Sequence, residues 1–243
     1  MNRAVWLAAA TAILPMATLV AAETPRPAAR VFDPPPTPLM LTRTLRHMMH
    51  DGTAIVTRRA YRVRFVRDGD GFRLDGTLAE VTVAAPPGLE ALAALERLRP
   101  DPGLFPMRLD AAGMVLPTID PAPADPEPSP QQRQAIGAAS ADIGRMKLAA
   151  DAAAQAQGFV ARFEARPYRT AWPLDLFRPA PGMRSDRRTI PLDGGLQGEV
   201  TTDIAATSDP ATGLLESFTR TVTTDLAGDK RLVIEEWTLA PAA

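Results

Sequence analysis

The chain has 243 residues, 27 basic and 28 acidic side chains for a net charge of −1, 46% hydrophobic residues and no cysteine. The missing cysteines exclude disulfides, thiolate metal sites and the lipid-modified cysteine of a bacterial lipoprotein. The near-neutral balance is far from that of a nucleic-acid-binding protein, so no nucleic-acid partner is expected.

The first residues follow the order of an export signal. Arg3 supplies a positive charge, Ala4 to Val20 carries none, and Val20-Ala21-Ala22 offers small side chains for cleavage after Ala22. The apolar stretch is alanine-rich and broken by Pro15, unlike the run of about 20 strongly apolar residues that a membrane anchor needs. No later segment approaches that length, so no transmembrane span is expected after cleavage. Arginine outnumbers lysine 25 to 2, a bias typical of GC-rich bacterial genomes. The expected compartment is the periplasm.

Residues 23–38 contain six prolines and no apolar periodicity, which predicts an extended, mobile arm outside the core. From Leu39 the period becomes two: Leu39, Leu41 and Leu45 alternate with Thr42, Thr44 and Arg46, and Asp51-Gly52 marks a turn. A second strand from about Thr53 to Val66 sets Tyr61, Val63 and Phe65 on one face and Arg62 and Arg64 on the other. Asp68-Gly69-Asp70-Gly71 is a hairpin turn. In the returning strand Phe72, Leu74 and Leu78 share one phase and Val81 and Val83 the other, which calls for a bulge between Gly76 and Glu80.

Leu89, Leu92, Leu95 and Leu98 predict a short helix over about 88–99 that ends at Pro100. Phe105 to Leu109 and Met114 to Leu116 flank Asp110-Ala111-Ala112-Gly113, a second hairpin. After a proline-rich connection, Ser129 and Gln132 form a capping box around Pro130, and an alanine-rich stripe from Ile136 onward predicts a long helix over 130–157 closed by Gly158. Residues 159–191 carry Tyr168, Trp172, Leu174, Leu176 and Phe177 among prolines, which predicts a covering loop. Strands return over about 197–207, 214–226 and 230–239.

Strands flank the helices without a repeating strand-helix-strand alternation, so the expected class is α+β, one large curved antiparallel sheet packed on one long and one short helix. The domain plan is a signal over 1–22, an arm over 23–38 and one β-rich domain over 39–243 with the helices inserted. Residues 40–80 hold eight arginines against five acids, and residues 190–243 three basic groups against nine acids. Pairing of the first and last strands in one sheet accounts for this asymmetry, and a basic face for an anionic ligand is the alternative.

Chemistry is sparse. His47-Met48-Met49-His50 would converge on a metal only if the segment bent, because positions three apart on a strand point to opposite faces. No nucleophile elbow and no Ser-x-x-Lys occur, and Asp193, Asp203, Glu235 and Glu236 could supply a carboxylate pair but equally suit wet strand faces. No catalytic residue, metal or cofactor is therefore called for. The element order over about residues 39–239 resembles that of periplasmic lipoprotein-carrier proteins of the LolA/LolB type. The resemblance implies a hollow between sheet and helices that takes acyl chains. On the expectation of an apolar or amphipathic envelope ligand, Tyr61, Phe65, Trp172, Phe177 and Trp237 are the candidate binding side chains, although aromatics at such positions also build cores. The alternative role is a non-catalytic structural or protein-interaction component of the envelope.

Overall fold

The computed structural model describes residues 32–99, 104–117, 129–145, 172–191, 197–226 and 229–242, with six further helical positions between 153 and 161. The expected signal, most of the arm, Tyr168 and Asp193 lie outside the described residues. Eight strands, β1 (Leu39–Met48), β2 (Ala54–Asp68), β3 (Gly71–Ala84), β4 (Met107–Leu109), β5 (Gly182–Pro191), β6 (Gln197–Ser208), β7 (Leu215–Leu226) and β8 (Asp229–Pro241), form one sheet with two helices, α1 (Glu90–Arg97) and α2 (Pro130–Arg145).

The strand order is β4-β3-β2-β1-β8-β7-β6-β5 and every pair is antiparallel. Two meanders thus meet where β1 pairs with β8, and the sheet stays open between β4 and β5. Arg43 bonds Glu235 and Arg46 bonds Glu236 across that central seam, so part of the charge asymmetry between the chain ends is met by strand pairing, while Arg58 and Arg73 pair locally with Glu80 and Asp75.

The phase change in β3 is resolved by a bulge. Tyr61 opposes Leu78 and Ala60 opposes Glu80, so Ala79 is the extra residue. As a result Phe72 and Leu74 below the bulge and Val81 and Val83 above it share the face of Tyr61 and Arg59. A second bulge lies where Thr207 opposes Ser217 and Ser208 opposes Leu215.

One face of the sheet carries the core, in two clusters. The larger includes Leu41, Tyr61, Phe65, Leu74, Phe177, Phe218 and Trp237. The smaller sets Ile55 and Val83 of the sheet against Leu89, Leu92 and Leu95 of the α1 region and Ile136, Ala139 and Ile143 of α2. The three-residue leucine spacing places these α1 side chains on one stripe. Arg59 reaches up from β2 to the α1 C-terminus, donating to the Glu96 and Arg99 carbonyls at 3.0 Å each, where a cation also suits the helix dipole.

At the start of α2, the Ser129 N–H donates to Gln132 Oε1 at 2.7 Å and the Gln132 N–H donates to Ser129 Oγ at 3.2 Å, the expected capping box. Gln132 also donates to the Leu98 carbonyl at 3.0 Å, tying α2 to α1.

Three expectations are corrected. Gly158, expected to close the helix over 130–157, is itself helical, as are Val160 and Ala161, while α2 is described as far as Arg145 and residues 146–152 lie outside the described residues. Residues 182–191, expected as part of a covering loop, are β5; its side chains are almost all exposed, so no apolar alternation marks it in sequence. The arm is not wholly outside the core, because Phe32 is 1% exposed and sits edge-on to Phe65 and Phe72 at ring-centroid distances of 5.8 and 5.2 Å. The Phe32 ring occupies the space above Gly113, where a Cβ would lie 2.5 Å from it and where φ is +83°. Only glycine fits that turn.

Candidate functional site

The core face is crossed by a belt of charge between the two apolar clusters. Arg59 on β2 opposes Arg43 on β1, Arg43 opposes Trp237 on β8, and Glu235 on β8 opposes Arg220 on β7. Glu235 is 2% exposed. It accepts from Arg43 Nε at 2.7 Å and from Arg220 Nη2 on its other oxygen. A buried carboxylate held between two guanidiniums is compensated for its lost hydration, and its removal would strand the cations.

Arg43 is also stacked. Its guanidinium carbon lies 5.5 Å from the Trp172 ring centre and 5.1 Å from that of Trp237, and the two indoles are 4.7 Å apart. Cation–π contact of this kind contributes about 0.5–2 kcal/mol, more where water is excluded. Trp237 is fully buried, and its Nε1–H has no hydrogen-bond partner among the described residues. A buried donor without an acceptor costs about 1–3 kcal/mol. Thr57 Oγ1, buried on the same face of β2, is in the same condition.

The five sequence-derived site residues are brought together in part. Tyr61, Phe65, Phe177 and Trp237 are buried in the large cluster and Trp172 is half-buried against it. Phe65 and Phe177 meet edge-on at 5.5 Å, and Tyr61 packs on Phe105 at 5.5 Å. Of the five, only Trp172 combines partial exposure with contact to the charged belt.

Below the belt, away from the two helices, the same face continues over β5 to β8 with Ile190, Val200, Val222, Leu226 and Val233, interleaved with Arg188, Thr202, Thr224 and Arg231. All five apolar side chains are half-buried, as are Leu45 and His47 of β1, whereas Ile55 of β2 and Val83 of β3 are covered by α1 and α2. Gly198 lets Ile190 and Leu226 close over it, since a Cβ there would sit 3.1 and 3.0 Å from their side chains.

The remaining candidates do not converge. Glu235 and Glu236 are neighbours on β8 and point to opposite faces, and Asp203 lies exposed on the face opposite Glu235. They form no carboxylate pair. His47 is in β1 opposite Ile55 and Val233, His50 lies in the following turn, and no group of three metal-ligating side chains occurs among the described residues. An open cleft of about 330 Å³ at the hairpin tips is lined by Asp68, Asp70, Arg108, Asp110 and Leu116, but the Asp110 carboxylate is engaged by the Ala112 and Met114 N–H groups at 2.9 Å each.

Sequence reasoning missed the belt, although a signal was present. Arg43 falls on the phase of Leu39 and Leu41, Arg59 on that of Ile55 and Tyr61, Arg220 on that of Phe218 and Val222, and Glu235 on that of Val233 and Trp237. A charge on the apolar phase of an alternating strand must be paired on the core side.

No family model matches the chain, and no curated protein matches it. Among solved structures it is similar to the crystal structure of the ywiB protein from Bacillus subtilis, at 10% identity over 85% of this chain and 93% of that one. The TM-score of 0.18 carries no argument about fold or role.

Proposed function

We propose that the chain is an exported, non-catalytic periplasmic protein that binds an apolar or amphipathic envelope ligand, such as a lipid, on the core face of its sheet. The ligand lies along the strip of Ile190, Val200, Val222, Leu226 and Val233, with its polar end at the Arg43, Glu235 and Arg220 belt under Trp172. The observation that carries this reading is the strip itself: five apolar side chains on the core phase, set among Thr202, Thr224 and Arg231, that stay half-buried beside a belt of buried charge. Completing their burial under a ligand would contribute about 25 cal/mol per Å² of apolar surface removed from water.

The two bulges favour a concave sheet, since a bulge bends its strand and raises the local twist. Export rests on the charge-free, alanine-rich leader of residues 4–20. The placement departs from the sequence expectation, because Tyr61, Phe65, Phe177 and Trp237 serve as the packed wall behind the ligand and Trp172 as the side chain that touches it.

Titration of the purified protein with a fluorescent long-chain fatty acid tests the reading. Saturable binding is expected, lost in Val222→Lys and kept in Thr223→Lys, which places the same charge on the opposite face. Equal effects of the two variants, or no saturation, would remove the strip as the site.

A further inference from the structure

The open end of the sheet is β5. All ten of its residues, Gly182 to Pro191, pair with β6 without a bulge, and among the described residues no strand lies on its other side. Residues 182–189 are exposed on both faces, and Met183 is 91% exposed. The other end of the sheet is the three-residue β4. A long, straight edge presents a row of N–H and C=O groups that a further strand can use, and proteins that avoid this shorten, bulge or cover the edge or load it with charge. β5 has only Pro191 at its end and charge along its length, and the charge is of mixed sign: Arg184, Asp186, Arg187 and Arg188.

Mixed sign does not repel every approach. When two copies pair antiparallel about a two-fold axis, some residue faces its own copy, because opposed residues share a face and a hydrogen-bonding direction. Centring on Asp186 opposes Asp186 to itself and Arg184 to Arg188. Centring on Arg184, Arg187 or Arg188 opposes an arginine to itself. Centring on Thr189 brings no acid opposite any arginine. Centring on Ser185 opposes Ser185 to its copy and Arg184 to Asp186 twice, with Met183 across from Arg187, and sets no like charges opposite each other. Opposite charges directly across a strand pair contribute about 0.2–1 kcal/mol each and like charges subtract as much, so the charges select this register.

We propose that the chain self-associates through β5, two copies joining antiparallel about Ser185 into one continuous sheet. The existing ion pairs allow it. Arg184 binds both oxygens of Asp175 at 2.7 and 2.9 Å and lies along the core face beside Ile204. Asp186 bonds Arg188 at 2.7 Å yet keeps 59% of its side chain exposed, so its carboxylate can take a second guanidinium. The register spans seven residues of each copy, from Gly182 to Arg188, and leaves Pro191, which has no N–H to give, outside the new ladder.

Because the chain has no cysteine, single cysteines report the register directly. Opposed positions on antiparallel strands have Cα atoms about 4.5–5.5 Å apart, within disulfide reach. Under mild oxidation Ser185→Cys is expected to give a covalent dimer about tenfold or more faster than Arg187→Cys or Thr189→Cys on the same face. Sedimentation velocity of the unmodified protein should show a concentration-dependent dimer, weakened about tenfold or more by Asp186→Arg, which turns both favourable pairs into repulsion. Fastest crosslinking at position 187 or 189, or a monomer at every concentration up to roughly 100 μM, would overturn the proposal.

Discussion

Replacing Glu235 by Gln keeps the shape of the side chain and one acceptor oxygen but removes the charge between Arg43 and Arg220. The carboxylate is 3% exposed, and the two arginine side chains are 12% and 22% exposed, so water screens the arrangement little. Breaking a buried ion pair by removing one partner costs about 3–5 kcal/mol, and the retained amide acceptor together with the stacking of Arg43 on the indoles places this case near the lower end, about 3 kcal/mol. Urea unfolding with a slope of about 2.5 kcal/mol/M converts that into a midpoint lower by about 1 M with the slope unchanged. The control is Glu236→Gln, one residue along on the opposite face. Its pair with Arg46 is 39% and 44% exposed, which limits its expected effect to about 1 kcal/mol or less. Equal midpoint shifts for the two variants would refute the distinction between a buried belt and a wet face on which the site rests.

Phe32→Ala should cost about 3–5 kcal/mol by emptying a site between Phe65 and Phe72, seen as a lower melting temperature; a loss below about 1 kcal/mol would return residue 32 to a loose arm. Ser129→Ala removes one half of the capping box and should cost about 1 kcal/mol by urea unfolding, whereas Ser129→Asp retains the cap and most of the stability. In the turn between β6 and β7, the N–H of Thr212 above all, then that of Ala211 and the Thr212 hydroxyl, hold the Asp209 carboxyl below its ordinary pKa. A lowered folded pKa means that the contribution is complete above the ordinary carboxylate pKa and is lost as pH falls through the folded value. An NMR titration of Asp209 should therefore show a lower midpoint in the folded protein than in urea, and coincident midpoints would contradict the turn geometry.

Much of the architecture was legible because alternation reports which face is buried. Leu39 to Leu45 and Tyr61 to Phe65 set two strands, the phase change between Leu78 and Val81 announced a bulge, and Ser129 with Gln132 marked a helix start to the residue. β5 was hidden for a physical reason: its ladder is supplied by β6 and its side chains face solvent, so hydrophobicity leaves no trace in Arg184 to Arg188. Phe32 was hidden by the prolines around it, which speak for an extended backbone but not for where one aromatic goes.

The candidate site was legible only as a set of aromatics. Tyr61, Phe65, Phe177 and Trp237 lie together, yet their burial makes them a wall. The charged belt depends on long-range register, which brings Arg43, Glu235 and Arg220 side by side from three strands separated by up to 192 positions in the chain. Reading the four charges on apolar phases as a group would have pointed to it.

The half-buried strip below the belt is expected to carry a ligand in the cell. Native mass spectrometry of the protein purified without detergent from its native cells measures this most directly. The predicted result is a chain lacking residues 1–22 that carries a lipid-sized adduct, removed by solvent extraction and missing from Val222→Lys. A bare polypeptide mass for both the parent and the variant would contradict it.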